Sequence, residues 1–401
     1  METTTLSRVS DTLILMRILG IDVCKGSVVA CLLTERPDEP RQFLFKAEFH
    51  NCKADVTGLK TLLDLKPDIA IMEPTGVNYS KLWGTHLVRS GCRIMLVSHN
   101  KLARHREHLD MPDKSDESDA FALACYWWDY QNQPRRFLQD RDYVTAKIRE
   151  KVLRLGHLAR VQSPIINRLR QDLAWQFPEV AMSRGVVMWE WLALEKDSKR
   201  YDKMLAESVG LGLETHTHRH AKRLIDIWDE ERDIEAELDA LMSDERFTPY
   251  KSVFDKWGFG HRVQAIILSQ IFPIESFLDD NGKPIIQWGK SRRKKDKRIK
   301  RHISLRQFTK ALGCAPTEKS SGDRESKKIV GGSDVCRVAL WQWLFTKIEV
   351  KSKRPNNDIG KTMGKIVDDM KDAGRPVRLI RMTAIAKATK LLFKDLVDIL
   401  K

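Results

Sequence analysis

The chain has 401 residues, of which 42% are hydrophobic, and its 70 Lys and Arg against 55 Asp and Glu give a formal charge of +15. That length suffices for about two or three domains with ample core, and such a charge surplus suits a polyanionic partner, nucleic acid foremost. The seven cysteines (Cys24, Cys31, Cys52, Cys92, Cys125, Cys314 and Cys336) are scattered without a CxxC pair, which argues for a reducing compartment and against disulfides or a cysteine zinc site.

No apolar run reaches the roughly 18 residues of a membrane span. Leu13 to Leu19 is too short and follows acidic residues, so it does not read as a signal peptide. Residues 1–16 are expected to be a disordered lead-in, and the protein is expected to be cytoplasmic.

Arg17 to Val23 is a short apolar run carrying one acid, Asp22. Ser27 to Thr34 and Arg41 to Phe49 read as two further strands, separated by the turn-rich Glu35 to Pro40, so the three suggest an antiparallel meander. An amphipathic stretch follows at Asp55 to Leu65. The strand Asp68 to Met72 ends at Glu73-Pro74-Thr75-Gly76. A helix is expected around Tyr79 to Ser90, a strand at Cys92 to Val97 and a helix at Lys101 to Leu109. The last helix of this part starts at Lys114-Ser115-Asp116-Glu117-Ser118-Asp119-Ala120. Three strands followed by alternating helices and strands is the order of an RNase H-like domain.

Four acids fall at telling places. Asp22 lies in the first strand, Glu73 at the end of the fourth, and Asp116 and Asp119 three residues apart at a helix start, on one helix face. Taken singly, each reads as a solvated strand end or a cap. Together they form a set of hard oxygen ligands that suits Mg²⁺ or Mn²⁺, and paired ions of that kind serve phosphoryl transfer.

The blocks Gly20-Ile21-Asp22-Val23-Cys24-Lys25, Met72-Glu73-Pro74-Thr75-Gly76 and Lys114 to Ala120 resemble the signature blocks of the DEDD insertion-sequence transposases. These are the "IS one-ten" type, the bridge-RNA-guided recombinases. The resemblance implies a catalytic tetrad of Asp22, Glu73, Asp116 and Asp119 that binds Mg²⁺; Asp113 lies just outside the match. It also implies DNA and a structured guide (bridge) RNA as partners, and prokaryotic, nucleoid-associated action. The implied fold is α/β: an RNase H-like (RuvC-type) N-terminal domain over 17–135, a helical coiled-coil arm over 136–250, and a mainly α-helical C-terminal transposase domain over 251–401 carrying a catalytic serine.

From Ile148 on, the residues Ile148, Val152, Leu155, Ala159, Gln162, Ile166, Leu169 and Leu173 keep an alternating four-three spacing, a coiled-coil seam. Pro164 is expected to kink or break the helix. A second seam runs through Leu224, Ile227, Glu231, Ile234, Leu238 and Leu241. Such seams suit an intramolecular hairpin as well as a dimer. The resemblance, in which this segment serves subunit assembly, favours a homo-oligomer, dimer or tetramer. Between the seams, His216, His218 and His220 read as a solvated polar loop rather than a metal site, because nothing nearby completes a ligand set.

Gly258-Phe259-Gly260 before the apolar Val263 to Ile271 resembles a helix-hairpin-helix turn, whose backbone N–H groups can hold a phosphate. Lys290 to Arg301 then holds nine basic residues in twelve: Lys290, Arg292, Arg293, Lys294, Lys295, Lys297, Arg298, Lys300 and Arg301. It reads as a phosphate-binding segment, as a disordered basic loop, or as both.

On chemistry alone, Ser320-Ser321-Gly322 is a turn. The resemblance reads it differently, because Gly313, Pro316, Ser321 and Gly322 match the family's Gly-x-x-Pro-x-x-x-x-Ser-Gly block. It implies Ser321 as the nucleophile that forms a phosphoserine link to DNA, with Ser320 the adjacent alternative. Arg324, Lys327 and Lys328 flank the serine and suit phosphate contacts. Arg337, in Val335 to Leu340, keeps the basic residue of the family's Leu-Arg-x-Ala-Leu helix, while Gly331-Gly332-Ser333-Asp334 departs from the usual Lys-x-Gly before it. The tail from Gly374 to Leu400 looks like the family's closing helix. The rival reading is a hydrolytic, junction-resolvase-like nuclease that forms no covalent intermediate.

Overall fold

The computed structural model describes residues 16–74, 79–111, 113–138, 142–290, 298–321, 324–329 and 331–399, with the side chains of 290, 317–321 and 324–328 left aside. The expected lead-in (save Met16), Thr75, Gly76, Arg292, Arg293, Lys294, Lys295, Lys297 and Gly322 lie outside the described residues. The chain divides into two compact units at residues 141 and 142.

The first unit is a mixed α/β sandwich. Strands β1 (Ile18–Val23) and β2 (Ser27–Leu33) pair antiparallel. A short helix α1 (Pro40–Leu44) leads to β3 (Phe49–Lys53), which continues the meander on β2. Helix α2 (Val56–Asp64), capped by the Asp55 carboxylate accepting from the Gly58 amide, crosses to β4 (Ile69–Met72). Helix α3 (Tyr79–Arg89), β5 (Arg93–Leu96), α4 (His99–His108) and α5 (Asp116–Tyr130) complete the unit. The sheet order is β3-β2-β1-β4-β5, with β4 parallel to β1 and β5 parallel to β4. This is the expected succession of a meander followed by alternating helices and strands.

One expected strand is corrected. Arg41 to Phe49 is not extended: Pro40 takes the first position of α1, where its fixed φ and missing N–H suit a helix start, and pairing resumes only at Phe49.

Both faces of this sheet are covered, so β1 and β4 read as near-continuous apolar runs. Leu19, Ile21, Leu62, Met72 and Trp83 form one core layer, and Ile18, Ile71, Phe121, Leu123 and Tyr126 belong to the other. Helix α5 packs directly on β1 because Gly20 has no side chain; a Cβ there would run into the backbone of Ala120 and Ala124.

The second unit is built on two long helices, α6 (Tyr143–Gln176) and α9 (Thr215–Met242), with α7 (Val186–Leu192) and α8 (Lys199–Ala206) between them. Ile148, Val152, Leu155 and Leu158 share a core with Ile234, Leu238 and Met242. Leu169 and Leu173 share another with Ala221, Leu224, Trp189 and Trp191. The two helices are therefore antiparallel, and their seams are filled within one chain.

Pro164 does not break α6, which runs through it without interruption. Proline costs the helix one backbone bond and some crowding; burial of α6 on both sides of that point, at Leu158 and Leu169, holds the two halves in line. The three histidines are not in a loop either. They occupy the first two turns of α9, where the His218 Nδ1 lies 2.8 Å from the Leu192 carbonyl oxygen and the His216 Nε2 lies 3.6 Å from Asp172.

Helices α10 (Thr248–Lys256) and α11 (His261–Ile271) flank the Gly258–Gly260 turn, with Gly258 at φ +64°. Next comes the hairpin β6 (Ile286–Lys290) and β7 (Arg298–His302), so Arg298, Lys300 and Arg301 lie on a strand rather than in a loop. After α12 (Ile303–Ala311), β8 (Pro316–Ser321) pairs with β9 (Arg324–Ile329), which corrects the turn expected at Ser320 and Ser321 to the last two positions of a strand. Helices α13 (Asp334–Trp343), α14 (Asp358–Asp372) and α15 (Val377–Ile399) close the unit around Trp257, Phe308, Trp343 and Leu392.

Candidate active site

The register of the first sheet sets two of the four acids side by side. Ile21 on β1 is the parallel partner of Met72 on β4, so Asp22 and Glu73 follow on adjacent strands. Asp116 and Asp119 come from the first turn of α5 and the position after it. That turn is fixed by a capping box, in which the Ser115 hydroxyl accepts from the Ser118 amide and the Ser118 hydroxyl accepts from the Ser115 amide. Because α5 rests on Gly20, two residues before Asp22, its start is held beside the end of β1.

Electrostatics bind the four into one cluster. Burial, and then the nearby charges of Asp119, Asp116 and Glu73, push the Asp22 carboxyl up to about 6. Burial also raises Glu73, opposed by His99, whose Nδ1 lies 3.4 Å from the carboxylate. Asp116 is exposed, whereas Asp119 is only 3% exposed and receives a hydrogen bond from Nη1 of Arg106 on α4.

Cys24 belongs to this cluster too. Its thiol, pushed up to about 11 by burial and by its hydrogen bond, donates to Asp116 Oδ2 at 3.4 Å. Asp22, Cys24 and Asp116 each offer a donor atom within 4.8 Å of the others. A carboxyl raised by three neighbouring carboxylates is one that a cation would return to its charged form. The residues present fit a hard divalent ion: Asp22 and Asp116 bring two carboxylates together beside the Cys24 thiol, and Glu73 and Asp119 add negative charge next to Asp22.

Sequence reasoning missed three residues here. Cys24 stood inside a recognised block, yet a lone cysteine two residues after an acid carries no distinctive spacing. Arg106 and His99 lie on a polar helix whose pattern does not say which cation faces the acids.

In the second unit, Ser321 is the last residue of β8 and pairs across the hairpin with Arg324. Arg298, Lys300 and His302 alternate outward along β7, with Ile299 and Arg301 half-buried between them. Arg337 on α13 donates to the Gly313 carbonyl at 3.0 Å, tying the residue before Cys314 to that helix. Gly313 needs to be glycine: its φ is +69°, and a Cβ would meet the Ser333 carbonyl oxygen.

Comparison with known proteins bears on the first of these sites. No curated protein matches the chain. A solved structure titled "T. thermophilus RuvC in complex with Holliday junction substrate" aligns at 13% identity and a TM-score of 0.22, over 31% of this chain and 99% of that one. A family model of the DEDD insertion-sequence type, described as "Transposase", matches residues 19–178, which include all four acids. Over residues 19–178 the chain is thus similar to the DEDD insertion-sequence transposases.

Proposed function

We propose that the protein is a DNA transposase that cuts and rejoins DNA strands. Asp22, Glu73, Asp116 and Asp119 would hold Mg²⁺ or Mn²⁺, and Ser321 would act as the nucleophile. The observation that carries this reading is the convergence of four acids from β1, the end of β4 and α5, close enough to push Asp22 up to about 6. Groups perturbed in this way cluster at functional sites, and the family match over the same residues supports the assignment.

A bound divalent ion would supply Lewis-acid polarisation of the scissile phosphate. The chain's own residues do the rest. The Ser321 oxygen attacks phosphorus as its proton leaves, the bond from phosphorus to one DNA oxygen breaks, and that oxygen takes up a proton. The phosphoserine ester keeps the energy of the broken link, so the reverse attack by a DNA hydroxyl rejoins the strand and frees the serine. Support for Ser321 comes from the resemblance of the block from Gly313 to Gly322.

The charge of +15 suits DNA and a structured bridge RNA as partners. Lys290, Arg292, Arg293, Lys294, Lys295, Lys297, Arg298, Lys300, Arg301, Arg324, Lys327, Lys328 and Arg337 would meet their phosphates. The domain plan would be 17–135, 136–250 and 251–401, with the acids and the serine in different domains and a homo-oligomer bringing them together. The site of action would be the cytoplasm; among the described residues no helix is long and apolar enough to cross a membrane.

A hydrolytic nuclease is the second reading, favoured by the fact that all four acids come from one unit and need no serine to organise an attacking water. Incubation of labelled DNA and guide RNA with Asp22→Ala and Ser321→Ala separates the two. The transposase reading expects binding without cleavage in the first variant and loss of the covalent adduct in the second. Cleavage that survives in Ser321→Ala would favour hydrolysis, and cleavage that survives in Asp22→Ala would remove the acids from the chemistry.

A further inference from the structure

We infer that Arg106 is a built-in counter-ion of the acid cluster, holding the Asp119 carboxylate until a divalent cation takes it. The inference rests on the reading of the cluster as a metal site. Arg106 is 8% exposed and Asp119 is 3% exposed, and the guanidinium Nη1 donates to Asp119 Oδ1. Arginine cannot shed its charge, so the guanidinium remains a cation at any working pH.

The pair does not satisfy the arginine. Its Nε–H is buried and finds no hydrogen-bond partner among the described residues. A buried donor without a partner is costly, so this arrangement of Arg106 is not the most stable one open to it.

Charge balance gives the reason. Asp119 sits among Asp22, Glu73 and Asp116, and a buried carboxylate without a cation is strongly unfavourable. Without metal, Arg106 supplies that cation. A divalent ion at the same carboxylate would compete with the guanidinium, so the two are coupled with opposite sign. Arg106 would then weaken metal binding, keep the empty site folded, and be released as the ion arrives.

The test is Mn²⁺ binding to the full-length protein by calorimetry, with melting curves in EDTA and in Mn²⁺, for wild type, Arg106→Gln and Arg106→Lys. Arg106→Gln should bind Mn²⁺ about tenfold more tightly, a typical coupling between two ligands of one group. It should melt below wild type in EDTA and recover with Mn²⁺ by a larger shift than wild type shows. Arg106→Lys keeps a cation and should stay within about twofold of wild-type affinity, below that coupling scale.

A purely structural Arg106 would lower the melting temperature equally in both buffers and leave Mn²⁺ affinity unchanged; that result overturns the inference. If Arg106→Gln folds only when Mn²⁺ is present, the inference stands, and if it folds in neither buffer, the inference falls. Absence of Mn²⁺ binding in wild type would remove the metal reading itself, and the inference with it.

Discussion

Gly20 on β1 lies directly against Ala120 on α5, so closely that a Cβ on the glycine would overlap the alanine's carbonyl oxygen and crowd the Ala124 amide. The contact is backbone to backbone, and no side chain can swing aside to relieve it. It sets the height of α5 over the sheet and with it the distance from Asp116 and Asp119 to Asp22. Gly20→Ala should therefore destabilise the first unit by about 3 kcal/mol, the upper end of ordinary overpacking. Denaturant unfolding measures it, and a variant as stable as wild type would show that α5 can shift without cost.

Asp22 makes the metal-free protein sensitive to pH. Its folded pKa of about 6 lies above the ordinary value of 3.8, so the folded chain holds this proton more tightly than the unfolded chain. The group favours folding when protonated, and that advantage is lost as the pH rises through about 4 to 6. Asp22→Asn, which is uncharged throughout, should gain stability relative to wild type across this window and keep the gain at higher pH. Melting curves in EDTA from pH 4 to 8 give the difference directly. A difference that is flat, or that runs the other way, would contradict the electrostatic account of the cluster.

Two of the candidate acids were legible because Asp22 and Glu73 interrupt apolar runs at strand ends, where a buried charge needs a partner, and the other two because Asp116 and Asp119 share a helix face. The succession of strands and helices followed from the same runs, except at Arg41 to Phe49. What stayed hidden depends on contacts between elements distant in sequence. Arg106 lies near the end of a polar helix, 13 residues before Asp119, and nothing in its own neighbours marks it as the cation that faces inward.

Local rules failed where packing or position overrode them. Pro40 turned an apparent strand into a helix start, Pro164 sits in a helix that is buried on both sides of it, and the histidines of α9 fall on two polar first turns that read like a loop. The seam on α6 carried a valid helical period, but spacing alone does not name the helix that fills it, and here it is α9.

Exposed Arg298 and Lys300 on β7 give a quantitative handle on nucleic-acid binding. If each meets one phosphate of duplex DNA, replacing both with alanine should reduce the slope of log affinity against log salt by about 1.8, at roughly 0.9 per contact. Preference among DNA sequences should be unaffected, because phosphate contacts position without reading bases. Titrations at several salt concentrations check both statements, and an unchanged slope would move the DNA path off this strand.

The central claim is that the acid cluster and Ser321 together make a covalent bond to DNA. Its most direct test is to trap the DNA–protein adduct with Mg²⁺, DNA substrate and guide RNA, and to map the attached residue by mass spectrometry. The account predicts a phosphodiester link on Ser321, absent without Mg²⁺ and absent in Asp22→Ala. An adduct on any other residue, or strand cleavage with no adduct at all, would contradict it.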